Sequence, residues 1–262
     1  MIKLIASDMD GTLLDDNKNL PENFKEVIQK LFDKKIRFVI SSGRSYCTLK
    51  EQFSEYIDDM TFICDNGAYI VDKGKEISIS VLPKEKVIDI VKFCAELDLT
   101  VLLCGRNGTW HNAHTKDQLA SVCQYYVNQV HMDDLTQCDD DIYKIAVLQE
   151  SGIENDGYPK LLNKFGDDFN VQLSGERWSD IMNKDVTKGN ALRKLENRLG
   201  IKYEETMAFG DYLNDVEMLN NAYYSFAMEN SHNAVKKVAN FMTGSNNDNS
   251  VMKEITKYCL CY

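Results

Sequence analysis

The hydrophobic pattern of the first eighty residues alternates between two periods. Ile2 to Ser7 is almost wholly apolar and rich in β-branched residues, which predicts a strand buried on both faces of a parallel sheet and delivers Asp8 to its C-terminal end. Pro21 stands where a helix should begin, and Phe24, Val27, Ile28 and Leu31 follow at helical spacing as one buried stripe. The strand Ile36 to Ile40, the polar turn Ser41-Ser42-Gly43-Arg44, a helix carrying Tyr46, Leu49 and Phe53, and the short strand Phe62 to Cys64 come next. Strand, helix, strand, helix, strand predicts right-handed crossovers in a parallel α/β sheet.

The last third repeats this grammar. A helix with Ala191, Leu192, Leu195 and Leu199 precedes a strand Thr206 to Phe209, a helix after Asn214 and a strand near Tyr224 to Ala227, the second half of the same sheet. From about Pro83 to Asn183 the pattern differs. A helix (Val87, Ile90, Val91, Cys94, Leu97) leads to Val101–Cys104, and Gly105-Arg106-Asn107-Gly108 carries an Asn-Gly hairpin signal before Thr109 to Asn112. A helix with Leu119, Val122, Cys123 and Tyr126, a strand Tyr143 to Leu148, a short helix Leu161 to Phe165 and two strands divided by Gly175 complete it. Hairpins mixed with helices predict an α+β module inserted into a doubly wound parallel α/β core. The expected division is a core of residues 1–83 and 184–262 and an inserted domain of residues 84–183.

Charge narrows the partners. Forty-one acidic residues against thirty basic ones give a net charge of −11, which repels nucleic acid and anionic membranes. The eight cysteines are scattered without a CxxC pair and read as thiols of a reduced cytoplasm, with Cys259 and Cys261 the one pair spaced closely enough to bind together. The first residues lack the basic and apolar regions of a signal peptide, and nothing approaches the ~20 apolar residues of a membrane span. A cytoplasmic protein is expected.

Open α/β sheets place ligands at the carboxyl ends of their strands. Here those ends read Asp8-Met9-Asp10-Gly11-Thr12, Ser41-Ser42-Gly43-Arg44, Asp65-Asn66-Gly67 and Gly210-Asp211-Tyr212-Leu213-Asn214-Asp215, with Lys188-Gly189 at a helix start. Each alone is a common turn or a solvated lysine; their joint order at strand ends is what points to chemistry. Carboxylate oxygens in such a cluster suit a hard cation, Mg²⁺, that is shared with a substrate phosphate. Gly11 lets the chain turn so that Asp8 and Asp10 can address one substrate. A carboxylate can attack phosphorus and a neighbouring one can move the protons, while Ser42, Lys188 and amides near Gly11 balance charge on the transferring oxygens.

These motifs, with Leu13-Leu14 after the first and Ala68 after Asn66-Gly67, resemble the successive signatures of the haloacid dehalogenase superfamily, specifically its Cof-like phosphatases with a large α+β cap. The resemblance spans essentially the whole chain. It implies a Rossmann-like core, Asp8 as nucleophile and Asp10 as general acid and base. Gly11, Thr12, Ser42, Gly43, Lys188 and Asn214 are implied around the phosphate. Asp8, Asp10 (through its carbonyl), Asp211 and Asp215 are implied around Mg²⁺. Arg44, Asn66 and Asn183 are possible substrate contacts. Near the C-terminus such proteins carry an acidic-acidic-glycine turn where this chain has Asp248-Asn249-Ser250.

Spacing separates members of the superfamily. About 30 residues divide Asp10 from Ser42 and about 120 divide Asn66 from Lys188, so the cap falls in the second interval. The expected activity is hydrolysis of a small phosphorylated metabolite, such as a sugar phosphate, through an aspartyl-phosphate. The alternatives are a phosphomutase of phosphomannomutase type, weakened by a cap whose only arginines are Arg106 and Arg177, and a non-catalytic phosphate-binding protein, which would not need both Asp8 and Asp10. His111 and His114 read as a surface or substrate-facing loop rather than a zinc site, and Trp178 as core rather than a stacking platform.

Overall fold

A computed structural model describes residues 1–261. Along the chain the strands are β1 Leu4–Ser7, β2 Arg37–Ser41, β3 Thr61–Cys64, β4 Tyr69–Asp72, β5 Lys75–Ile79, β6 Thr100–Gly105 and β7 Thr109–His111. They continue with β8 Gln129–His131, β9 Ile142–Leu148, β10 Phe169–Leu173, β11 Trp178–Asn183, β12 Thr206–Gly210, β13 Tyr224–Ala227 and β14 Phe241–Met242. The helices are α1 Phe24–Asp33, α2 Tyr46–Gln52, α3 Lys84–Glu96, α4 Lys116–Tyr125, α5 Gly157–Phe165, α6 Lys188–Leu199, α7 Val216–Asn220, α8 Asn233–Val238 and α9 Ser250–Ile255. No helix among the described residues is long and apolar enough to cross a membrane.

Two compact units divide the chain. The first comprises residues 1–42, 55–77 and 187 onward; the second comprises residues 43–54 and 78–186. In the first, one sheet runs in the order β14-β13-β12-β1-β2-β3-β4-β5. The pairs from β14 to β3 are parallel, with β1 at the centre against β12 and β2. Every residue of β1, β3 and β12 is buried, as strands covered on both faces require. Leu4, Ala6, Val39, Ile63 and Ala208 pack there with Ala191, Leu192 and Leu195 of α6 and with Met218 and Leu219 of α7.

The antiparallel β3–β4 pair and β5 extend this sheet beyond the expected parallel strands. They turn back through Lys73 and Gly74, both at positive φ.

The second unit has a six-stranded sheet of order β10-β11-β9-β6-β7-β8. Its hairpins include β6–β7, closed by a bond from Gly105 N to Gly108 O at 2.9 Å, and β10–β11. One face buries Val101, Leu103, Ile145, Val147 and Ile181 against α3 and α5.

Candidate active site

The site is assembled where the parallel strands of the first unit end. Asp8 N continues the β1 ladder to Phe209 O at 3.1 Å, and the chain then turns so tightly that Thr12 N and Leu14 N both donate to Met9 O. Gly11 makes the turn at φ +80°, and a Cβ there would stand 2.5 Å from Asp211 Oδ2. Both the backbone conformation and the close carboxylate demand glycine. Thr12 Oγ1 donates to Asp211 Oδ1 at 2.9 Å, tying the first loop to the loop after β12.

That last loop is folded around Asp215, whose Oδ2 accepts from Asp211 N at 3.0 Å and Tyr212 N at 3.1 Å. Lys188 opens α6, whose N-terminus is capped by Thr187 accepting from Asn190 N. The Lys188 ammonium donates to Asp8 Oδ1 at 2.5 Å and Asp215 Oδ1 at 2.7 Å, in a site where lysine and Asp215 are fully buried. Ser42, after β2, donates its N–H to Ile63 O and accepts at its carbonyl from Asn66 N. Asp65, Asn66 and Gly67 follow with φ values of 49°, 55° and 105°. In that left-handed run Asn66 Oδ1 accepts from Asn214 Nδ2 at 3.0 Å, so hydrogen bonds join the loops after β2, β3 and β12.

Burial is the largest influence on the Asp8 carboxyl and raises it well above the ordinary carboxylate range, with Asp215 and Asp211 adding to the rise and Lys188 opposing it. Asp211 is pushed up to about 6, first by burial and then by Asp215. Burial alone would lower Lys188, but Asp215 and Asp8 outweigh it and keep the ammonium charged. One positive charge serves three carboxylates. Asp8, Asp211 and Asp215 each offer an oxygen within 4.8 Å of the others, a hard-oxygen donor set that fits a divalent cation and leaves two of the acids deficient in counter-charge without one.

Four other expected participants have partners of their own. The Asp10 side chain lies outside the three-carboxylate cluster and accepts from Lys18 Nζ at 2.8 Å. Gly43, Arg44 and Asn183 belong to the second unit. There Gly43 O accepts from the fully buried Lys144 Nζ at 3.2 Å, and Arg44 Nη1 donates to Gln52 Oε1 at 3.0 Å. The Asn183 amide donates to Ser80 O, Ser80 Oγ and Val81 O.

His111 is buried between Gln129 and the Ala113 amide. It accepts from Ala113 N at Nδ1, which makes it the neutral tautomer protonated at Nε2, and burial holds its pKa below the ordinary value. His114 is exposed. Trp178 is buried beside Tyr125 and Tyr126, as core. Two polar neighbours of the first loop were not expected from sequence: Lys18 on Asp10, and Asn230, whose Nδ2 donates to Gly11 O at 2.7 Å. Lys18 is at least the first cation after Asp10; Asn230 has no local signal.

This fold and site define a hydrolase class. The model of the haloacid dehalogenase-like hydrolases matches residues 5–255, and the chain belongs to that family. It is 32% identical to the 5-amino-6-(5-phospho-D-ribitylamino)uracil phosphatase YbjI of Escherichia coli K12, over 98% of this chain and 96% of that protein. It is 28% identical to the phosphatase YcsE of Bacillus subtilis 168, whose name gives the same substrate, over 99% and 96% of the two chains. The crystal structure of SMU.1108c from Streptococcus mutans UA159 superposes with a TM-score of 0.90 at 27% identity, covering 98% and 99%. The chain is thus a phosphoric monoester hydrolase of the haloacid dehalogenase type.

Proposed function

We propose that the protein hydrolyses a small phosphorylated metabolite with Mg²⁺, using Asp8 as nucleophile and Asp10 as the proton-transfer group. The observation that carries this reading is the buried constellation of Lys188 bridging Asp8 and Asp215, with Asp211 beside them. Asp8, Asp211 and Asp215, with the Asp10 carbonyl, would hold the cation, which supplies positive charge to the phosphoryl oxygens and to the crowded carboxylates.

In the first step an Asp8 carboxylate oxygen forms a bond to phosphorus and the ester P–O bond breaks; the departing oxygen takes its proton from Asp10. Water then attacks the aspartyl-phosphate, its proton goes to Asp10, the P–O bond to Asp8 breaks and inorganic phosphate leaves. Lys188 opposes the rise that burial imposes on the Asp8 carboxyl and balances charge as it spreads over the phosphoryl group. Ser42 and the Gly11 amide supply further donors. Asn66 and Asn214, bonded to each other, set the loops from which Ser42 and Asp215 project.

The first substrate to try is 5-amino-6-(5-phospho-D-ribitylamino)uracil, because the relatives at 32% and 28% identity are named for it. The test is phosphate release from this ester and from p-nitrophenyl phosphate with Mg²⁺, with EDTA, and with Ca²⁺ after EDTA. Turnover should vanish in EDTA, return with Mg²⁺ and recover little with Ca²⁺, whose looser coordination misaligns an in-line transfer. Full activity in EDTA, once bound metal is shown to be gone, refutes the mechanism.

A further inference from the structure

The loop Ser245–Ser250, where the expected acidic-acidic-glycine turn is replaced, is engaged with the loop that carries Asp10. Ser250 Oγ donates to Ser245 O at 2.8 Å, and Asn249 adopts φ 58° and donates from Nδ2 to Asn23 Oδ1 at 2.7 Å. The turn is thereby closed by side chains rather than by glycine. Asn246, only 5% exposed, then reaches back over 230 positions. Its Nδ2 donates to Leu14 O at 3.0 Å and to Asp16 Oδ1 at 3.1 Å. Asn247 Nδ2 donates to Asp16 Oδ2 at 3.0 Å and Asn247 Oδ1 accepts from Asp16 N at 3.1 Å.

A second asparagine completes the grip. Asn230 Nδ2 donates to Gly11 O at 2.7 Å, while Asn230 Oδ1 accepts from Asn246 N at 3.2 Å. Two asparagines joined to each other therefore hold the carbonyls of Gly11 and Leu14. Between those carbonyls the chain is doubled back on itself, with a parallel bridge between Asp10 and Leu14. The side chain of Asp10 is 41% exposed. The doubled backbone carries it, and its ion-pair partner Lys18, at 2.8 Å, sits on the segment that Asp16 anchors. Leu13 and Leu14 bury the base of the loop, whereas its tip from Asp15 to Asn19 is fastened by polar contacts.

We propose that Asn246 and Asn230 form a clamp that positions Asp10 for proton transfer to the leaving group. The clamp rests on the reading of Asp10 as the acid. Neither asparagine touches the reacting atoms; both are positioning residues. Their effect should therefore depend on how much the leaving group needs a proton. An alkoxide needs one to depart, whereas p-nitrophenolate leaves as a stable anion.

The experiment compares Asn246→Leu with the unaltered protein at saturating Mg²⁺ on an alkyl phosphate, such as a ribityl phosphate, and on p-nitrophenyl phosphate. Asp10→Asn and the double variant are measured alongside. For Asn246→Leu, kcat/KM should fall about tenfold or more on the alkyl ester and less than about threefold on the aryl ester. The double variant should be no slower than Asp10→Asn, because the clamp acts through Asp10. Should Asn246→Leu fail to fold, Asn230→Ala, at a more exposed position, breaks the Gly11 half and should show the same preference for the aryl ester.

Equal losses on both esters would mean a scaffold role only and overturn the proposal, as would no loss on either. If Asp10→Asn itself does not discriminate between the esters, the assignment of Asp10 fails and the clamp with it; if Asp10→Asn discriminates and the asparagine variants do not, the clamp alone fails.

Discussion

Replacing Asp211 by Asn should stabilise the metal-free protein while destroying its response to magnesium. A carboxyl held at about 6 rather than its ordinary 3.8 costs about 3 kcal/mol to keep ionised. Asp211 is half-buried, so solvent screening reduces this to about 1–2 kcal/mol. The asparagine keeps the oxygen that accepts from Thr12 but removes the charge that burial and Asp215 oppose. Between pH 3.8 and 6 folded Asp211 holds a proton that the unfolded chain has already released, so this contribution lowers stability as pH rises through that window. Asparagine has no such contribution. The gain should be small near pH 4 and complete above about pH 7, where it corresponds to about 2–8 °C in melting temperature for a chain of this size. Calorimetry in EDTA at pH 4.5 and pH 8 measures it, and a repeat with Mg²⁺ should raise the unaltered protein while leaving Asp211→Asn nearly unmoved. A variant that melts at or below the unaltered protein at pH 8 in EDTA, or gains equally at both pH values, would refute the reasoning.

Asp8→Asn should abolish phosphate release with the fold retained by circular dichroism; turnover in a contamination-free preparation would remove Asp8 from the nucleophile's role. Gly11→Ala must adopt a left-handed φ at about 1–2 kcal/mol and push Asp211 away from its place. Its Mg²⁺ affinity should drop at least about tenfold by calorimetric titration, and an unchanged affinity would mean that the Gly11–Asp211 approach does not shape the metal site. Lys188→Met leaves Asp8 and Asp215 buried without their cation, which should destabilise the protein by about 3–5 kcal/mol in urea at pH 8. A loss below about 1 kcal/mol would show that the two acids relax by taking up protons or water instead.

The parts of the site carried by consecutive residues at strand ends were legible in the sequence. Asp8, Ser42, Asn66 and Asp211 follow directly from apolar runs that end in polar turns, and the parallel order of β12, β1, β2 and β3 brings those turns to one edge. Contacts between distant polar side chains were not legible. Nothing near Asn246 announces Leu14, and nothing near Asn66 announces Asn214, because an amide makes the same local pattern whether it meets water or a carbonyl 200 residues away.

The β4–β5 hairpin was missed for a different reason. Its turn places Lys73 in a left-handed conformation that is ordinarily signalled by Asn or Asp before Gly. Arg44 and Asn183, read as possible substrate contacts, have side-chain donors engaged within their own unit. Sequence shows that such groups exist without showing where their hydrogens go.

The way the second unit is stitched bears on how such a protein can diversify. Asn183, where the inserted stretch ends, is bonded to Ser80 and Val81, where it begins, so the two junctions lie side by side. A segment with adjacent ends can be replaced in ancestry or in the laboratory without stretching the sheet it interrupts. Yet residues 43–54 pack with that same unit, and Thr48 Oγ1 there donates to Tyr125 O. Recombination that exchanged only the long insertion would leave α2 facing a foreign surface. Inheritance of a new module is therefore a two-piece event, and chimaeras that transplant residues 43–54 together with 78–186 should express as folded protein more often than those that transplant the insertion alone.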